Sequence, residues 1–158
     1  MQKLMDTLPQ QGRVVWIGLR PAPQAPINVV DDVNVTEEQG LEGDRYKSRS
    51  RKRQVTLIQG EHLDAVASML GISAVDPALI RRNIVVRGIN LLALKGRVFT
   101  VGGTTLEFTE LCHPCSRMEA NLGPGGYNAM RGHGGITARV LAGGRISLGD
   151  SVAAKPAR

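Results

Sequence analysis

Apolar and β-branched residues fall in short runs along this chain, the pattern of strands separated by turns. Residues 13–19, Arg-Val-Val-Trp-Ile-Gly-Leu, are rich in β-branched side chains and predict a strand. Pro21, Pro23 and Pro26 close it, because proline has no donor for a β-ladder. Residues 27–30 predict a second extended piece, Asp31-Asp32 a turn, and Val33 and Val35 a weak continuation. Residues 54–58 read as a buried strand. The period then changes: Leu63, Val66, Ala67 and Leu70 share one helical face, which predicts a helix over residues 60–70 stopped by Gly71. Asp76-Pro77 is a helix start, the carboxylate capping free N–H groups and the proline fitting the first helical position. That helix must be short, since Ile84-Val85-Val86 follow as a strand with Arg81-Arg82-Asn83 at the junction.

Residues 89–94 form an apolar cover ended by Gly96, and residues 97–101 and 104–109 flank Gly102-Gly103, a two-residue turn suited to a tight hairpin. The second of these strands leads to Cys112-His113-Pro114-Cys115. Ser116 and Glu119 have capping-box spacing, which predicts a short helix through Met118 and Leu122 just beyond Cys115. Residues 123–135 contain six glycines and read as a loop able to fold over a ligand. Residues 136–141 and 145–148 predict a last hairpin across Gly143-Gly144, followed after Asp150 by a flexible tail. Seven or eight short strands with a few short helices predict a mainly β (α+β) fold, a small closed β-barrel. The expected organisation is one domain with its core over residues 12–150 and flexible ends.

Composition narrows the function classes. A chain of 158 residues, 42% of them hydrophobic, suits one core. No apolar run approaches the ~18 residues of a membrane span, and the N-terminus lacks a signal pattern, so a cytoplasmic protein without a membrane partner is expected. Aromatic residues make up only 3%, which argues against a stacking platform for nucleic acid. The net charge of +6 is local: Arg45, Lys47, Arg49, Arg51, Lys52 and Arg53 carry it, and the basic residues elsewhere balance the 14 acids. This run reads as a solvated loop, a polyanion patch or a clamp for a small phosphorylated ligand.

Candidate chemistry concentrates in residues 109–118, which hold both cysteines and one of the three histidines. The thiolate is the reactive and metal-binding form of cysteine, and His113 and Arg117 would bring positive charge beside it. Two cysteines separated by His113-Pro114 are no disulfide scaffold, which leaves a metal, redox or nucleophile role. A thioredoxin-type dithiol has the right spacing but belongs in a βαβ setting. A zinc site would need Cys112, Cys115 and His113 to be completed by His133. Arg81 and Arg82 suit either a grip on phosphate or carboxylate or a helix terminus with a surface charge. Gly43-Asp44-Arg45 reads as a turn, Gly43 taking a positive φ and Asp44 bonding nearby backbone. The glycine-rich stretch has no Gly-Lys-Ser or Gly-Lys-Thr, so nucleotide hydrolysis is not supported.

Taken in order, Leu41-Glu42-Gly43-Asp44-Arg45, Arg81-Arg82-Asn83-Ile84, Pro114-Cys115-Ser116-Arg117-Met118 and the closing Gly144-Arg145-Ile146-Ser147-Leu148-Gly149-Asp150 resemble the MOSC domain. That domain is named for the C-terminal part of molybdenum cofactor sulfurase, and the likeness, from about Gly12 to Asp150, is to its small stand-alone bacterial members. The resemblance implies a barrel that binds a molybdenum-pterin cofactor (molybdopterin), with Cys115 as the catalytic residue and metal ligand. A soft thiolate is a sensible donor to molybdenum. It places Asp44, Arg45, Arg81, Asn83 and Arg117 on the cofactor side and leaves Cys112 outside the pattern. The implied activity is an oxidoreductase acting on small N-hydroxylated substrates. Its electrons would come from an external donor protein, since the sequence shows no flavin or iron–sulfur motif. The alternative is a sulfur-carrier or cofactor-delivery module using a Cys115 persulfide. Pyridoxal phosphate belongs to the sulfurase's separate N-terminal domain and is not expected with this chain.

Overall fold

The structure, a computed structural model, describes residues 1–46 and 48–156. In chain order the elements are α1 (Gln2–Asp6), β1 (Gly12–Leu19), β2 (Asn28–Val30), β3 (Asp32–Thr36), β4 (Gly40–Leu41), β5 (Val55–Gln59), α2 (Gly60–Leu70), α3 (Pro77–Ile80) and β6 (Ile84–Arg87). A 3-10 turn (Leu91–Leu94) follows, then β7 (Val98–Val101), β8 (Thr104–Leu111), α4 (Ser116–Leu122), α5 (Gly126–Met130), β9 (Ile136–Ala142), β10 (Gly144–Ser147) and β11 (Ser151–Ala154). Seven strands, in the order β11-β7-β8-β9-β5-β6-β1, close on themselves through the β1–β11 pair, and β2 extends the sheet beyond β1. The fold is thus the mainly β closed barrel with short helices that the sequence predicts. A smaller sheet, β10-β3-β4, sends Val33, Val35, Leu41 and Ile146 into the barrel's own core. No helix among the described residues is long and apolar enough to cross a membrane.

Two apolar clusters hold these layers together. The first fills the barrel with residues such as Ile17, Leu57, Phe99, Leu106 and Val140. The second lies outside the wall, where Ile58 and Val85 meet Leu63, Val66, Ile80, Met118 and Met130 of the helices. Strand β5 lies between both clusters, so its first four residues are all buried and the alternation disappears, as it does wherever both faces of a sheet are covered. Each such side chain contributes about 1.5–3 kcal/mol by leaving water. The parallel β5–β6 pair needs a crossover, which α2 and α3 supply. Helix α2 spans the predicted range and ends at Gly71 with φ 72°, and Asp76 caps α3 by accepting from the Ala78 N–H at 3.0 Å.

Four expectations are corrected. Strands β9 and β10 do not form a hairpin: β9 pairs with β8 and β5, whereas β10 pairs with β3. Gly143 lies against the Val35 carbonyl and Gly144 against that of Gly103, where a Cβ would clash, so the glycines carry the chain between sheets instead of turning it back. Residues 151–154 are not a flexible tail but the closing strand, with Val152 fully buried between Gly12 and Val101; Ala157 and Arg158 lie outside the described residues. The stretch 123–135 is not an open loop, since α5 packs Ala129 and Met130 into the second core. Finally, Glu119 does not box the start of α4; its carboxylate accepts from the Gly125 and Tyr127 N–H groups, both at 3.0 Å, and caps α5.

Candidate functional site

The turn after β4 places a carboxylate beneath the end of β1. Gly43, at φ 91°, makes that turn possible. Asp44 Oδ1 accepts from Arg20 N at 2.8 Å, Arg20 Nε at 3.2 Å and Asn83 Nδ2 at 3.1 Å, while Oδ2 accepts from Arg20 Nη2 at 3.0 Å and Tyr46 N at 3.3 Å. Burial by itself pushes the Asp44 carboxyl up, but the hydrogen bonds and charge of Arg20, with the Asn83 amide, hold it below the ordinary carboxylate value. Asn83 is completely buried. Its amide hydrogens go to Gly18 O at 3.0 Å and to Asp44, and its Oδ1 accepts from Thr56 N at 3.0 Å and Thr56 Oγ1 at 3.1 Å. An amide has two donor hydrogens and one acceptor oxygen, so these contacts use its capacity. Asp44 and Asn83 therefore tie β1, β5, β6 and the arginine-bearing turn together from below.

Arg81 lies above this latch. The chain leaves α3 and enters β6 within three residues, which forces Arg81 into the left-handed region at φ 60°, ψ 31°. Its Nη1 donates to Ala25 O at 2.8 Å; its Nη2 is buried and has no partner among the described residues. Burial, then the nearby guanidinium groups of Arg117, Arg20 and Arg45, push Arg81 below its ordinary value, with Asp44 acting in the opposite sense. Arginine stays protonated through such shifts, so the cluster is a fixed concentration of positive charge. Arg45 is exposed and Arg117 half-buried.

The cysteines are linked to these arginines through Arg82 and Arg53. Cys115 is exposed at the residue before α4, and α4 is fastened to α3 through Asn121 Nδ2, which donates to Leu79 O at 2.8 Å. Cys112 is buried, its N–H donating to Gly135 O at 2.8 Å and its Sγ receiving Arg53 Nη2 at 3.7 Å. Arg82, only 9% exposed, donates through Nε to Gly134 O at 2.9 Å and through Nη1 to Ile80 O at 3.2 Å. Burial pushes Arg82 down, while negative charge on Cys112 and Cys115 would pull it back up, so this guanidinium lies within electrostatic reach of both sulfurs.

The basic run is fastened to the barrel over its described part. Arg51 Nη1 donates to Glu37 O at 2.7 Å, Thr109 Oγ1 to Lys52 O, and Arg139 Nη2 to Ser50 O at 3.2 Å, while Lys47 lies outside the described residues. No three of the described histidine, cysteine and acidic side chains converge as a zinc site requires, and His133 packs against His62 instead. The cysteine pair lies wholly ahead of α4, unlike a dithiol whose second cysteine is in the helix. Arg20 joins the cluster with no sequence signal of its own, whereas Arg53 and Arg82 belong to stretches that the sequence already marks as basic. Arg20 stands between a strand and a proline loop with no motif around it, and only the fold brings it to Asp44.

The MOSC domain model matches residues 33–153 of the chain. Among solved structures, the YUAD protein from Bacillus subtilis superposes with a TM-score of 0.79 at 17% identity, covering 94% of this chain and 98% of that one. YiiM from Geobacillus stearothermophilus gives 0.71 at 16% identity, with 91% and 75% covered, and YiiM from Escherichia coli 0.71 at 20%, with 95% and 72% covered. At these identities the structural likeness shows the fold alone. No curated protein sequence matches the chain.

Proposed function

The chain belongs to the MOSC domain family, which is associated with the molybdenum cofactor, and on that premise we propose that it is a molybdenum-pterin-dependent reductase of N-hydroxylated compounds. One observation carries the reading: Arg81 Nη2, buried and without a partner among the described residues, sits within electrostatic reach of Arg117, Arg20 and Arg45, and the next residue, Arg82, is within such reach of the exposed Cys115. An unpaired buried donor costs about 1–3 kcal/mol, and an anion placed against it would recover that cost. The residues present fit a cofactor that carries an anionic tail and a metal open to a thiolate. Arg81, Arg45 and Arg117 would hold the anion, Cys115 would give its sulfur to the metal, and Asp44 and Asn83 would position the arginine-bearing turns without touching the ligand.

When bound, such a cofactor supplies two-electron removal of oxygen from an N–O group. The overall change, an N-hydroxyl compound with two electrons and two protons giving the amine and water, needs a separate electron-donor protein. The chain's own part is to fix the cofactor's charge against preorganised arginines and to present one sulfur in a defined place. Exposure of Cys115 also suits a second reading, a carrier holding a persulfide on that sulfur.

The test is metal analysis of protein made in a host that synthesises the pterin. Close to one molybdenum per chain, lost in Cys115→Ser and kept in Cys112→Ser, together with reduction of an N-hydroxylated purine by reduced holoprotein, supports the reductase. Cyanide-labile sulfur on Cys115 in molybdenum-free protein would replace it with the carrier.

A further inference from the structure

A hollow of about 250 Å³ opens between the start of α2, the 3-10 turn and the ends of β8 and β9. None of the clustered arginines and neither cysteine lines it. Its floor is apolar: Leu91 and Ile136 are almost fully buried, whereas Leu92 and Leu111 form walls that remain 54% and 40% exposed. Three polar side chains stand around this floor. Gln59 Oε1 accepts from Leu91 N at 3.0 Å and Asn90 Oδ1 from Leu92 N at 3.1 Å. Each amide oxygen must face the backbone N–H it receives, which orients the opposite NH₂ group and leaves it without a protein acceptor among the described residues. The third is His62, whose ring is held edge-on to that of His133, the centroids 4.9 Å apart and the planes at 88°.

The lining carries no fixed charge. Among the described residues no lysine, arginine or carboxylate is part of it, so a phosphate or carboxylate ligand would find no counter-charge there. Burial, then the charge of His133, holds His62 below the ordinary imidazole value against the opposing pull of Glu61, which keeps the ring neutral at pH 7. An apolar floor with a few polar groups around it is the composition of a small-molecule site, and here those groups include the side-chain amides of Gln59 and Asn90.

We propose that this hollow binds a small uncharged ring compound bearing carbonyl acceptors, a lactam or cyclic imide. The ring would rest on Leu91 and Ile136, with its carbonyl oxygens receiving hydrogen bonds from Gln59 and Asn90 and its edge against His62. The site goes beyond the reductase reading and does not depend on it, since cofactor-free protein suffices for the test.

The experiment is titration of ¹⁵N-labelled full-length protein with quinazolin-4-one, alongside toluene and benzoate as uncharged and charged rings without a lactam carbonyl. Saturable shifts confined to Leu91, Leu92, Gly135, Ile136 and their neighbours are expected, with toluene and benzoate weaker. Asn90→Asp and Gln59→Glu each keep the oxygen that caps the 3-10 turn and remove the donor; each should weaken binding by about tenfold. Leu92→Arg, at an exposed position, should block the hollow without touching those caps. Shifts absent or scattered over the surface, equal binding of toluene, or an affinity that survives Leu92→Arg would overturn the proposal.

Discussion

Replacing Arg81 by glycine separates what this residue does for folding from what it does for a ligand. Its left-handed backbone, at φ 60° and ψ 31°, costs an ordinary residue about 1–2 kcal/mol, which glycine avoids. Its buried Nη2, unpartnered among the described residues, costs about another 1–3 kcal/mol. Against these stand one charge-assisted hydrogen bond, Nη1 to Ala25 O, worth about 1.5–3 kcal/mol, and about 0.5–1 kcal/mol for the extra freedom of glycine in the unfolded chain. The opposing contributions nearly cancel, and relief of repulsion from Arg117, Arg20 and Arg45 tips the balance toward the variant. Arg81→Gly should therefore be as stable as the parent or gain up to about 1 kcal/mol, a rise of roughly 2–4 °C in Tm. Arg81→Ala, which keeps the strained backbone, should melt below it. Urea denaturation with and without pyrophosphate is the assay. Pyrophosphate at ten times its Kd should add about 1.4 kcal/mol to the parent and much less to Arg81→Gly. A loss above about 2 kcal/mol in Arg81→Gly without ligand would show that the arginine is kept for the fold and not for an anion.

Four further outcomes can be measured by the same denaturation method. Asp44→Ala leaves Arg20 largely buried without its carboxylate and should cost about 3–5 kcal/mol. Asp44→Asn should cost less, and its deficit should shrink as pH falls below the ordinary carboxylate value of 3.8: a carboxyl held lower in the fold contributes in full above that value and loses its contribution as the folded group protonates. His62 is held below its ordinary value of 6.5, so the unfolded chain takes up its proton first and folding weakens as pH drops from 7 to 5; the advantage of the parent over His62→Gln should decline over that window, and a constant difference would refute the effect. Gly134→Ala would set a methyl on the Cys112 carbonyl oxygen and should cost about 1–3 kcal/mol, with equal stability showing that the loop yields freely.

Local chemistry in the chain was enough to specify most individual elements. The 3.6-residue stripe of α2 with its Gly71 stop, the Asp76-Pro77 start of α3 and the Gly102-Gly103 turn each contain their own cause within a few residues. Motif order was likewise enough to point to the family and to bring forward Cys115, Arg81 and the Asp44–Arg45 turn. Partner choice was not available in the same way. Gly143-Gly144 has good hairpin composition, yet β10 joins β3 because glycine permits a crossing as readily as a turn. The strand over residues 151–154 is only four residues long and weakly apolar, and its stability comes from closing the ring between β1 and β7. The site divides along the same line. Which residues carry charge or sulfur is a property of the sequence, whereas the unpaired nitrogen of Arg81, the closure of Asn83 and Asp44 on each other, and the arrival of Arg20 and Arg82 depend on contacts 20 or more residues apart in the chain. Periodicity reports what faces water; it holds no record of which buried surfaces meet, and that choice is made when the barrel closes.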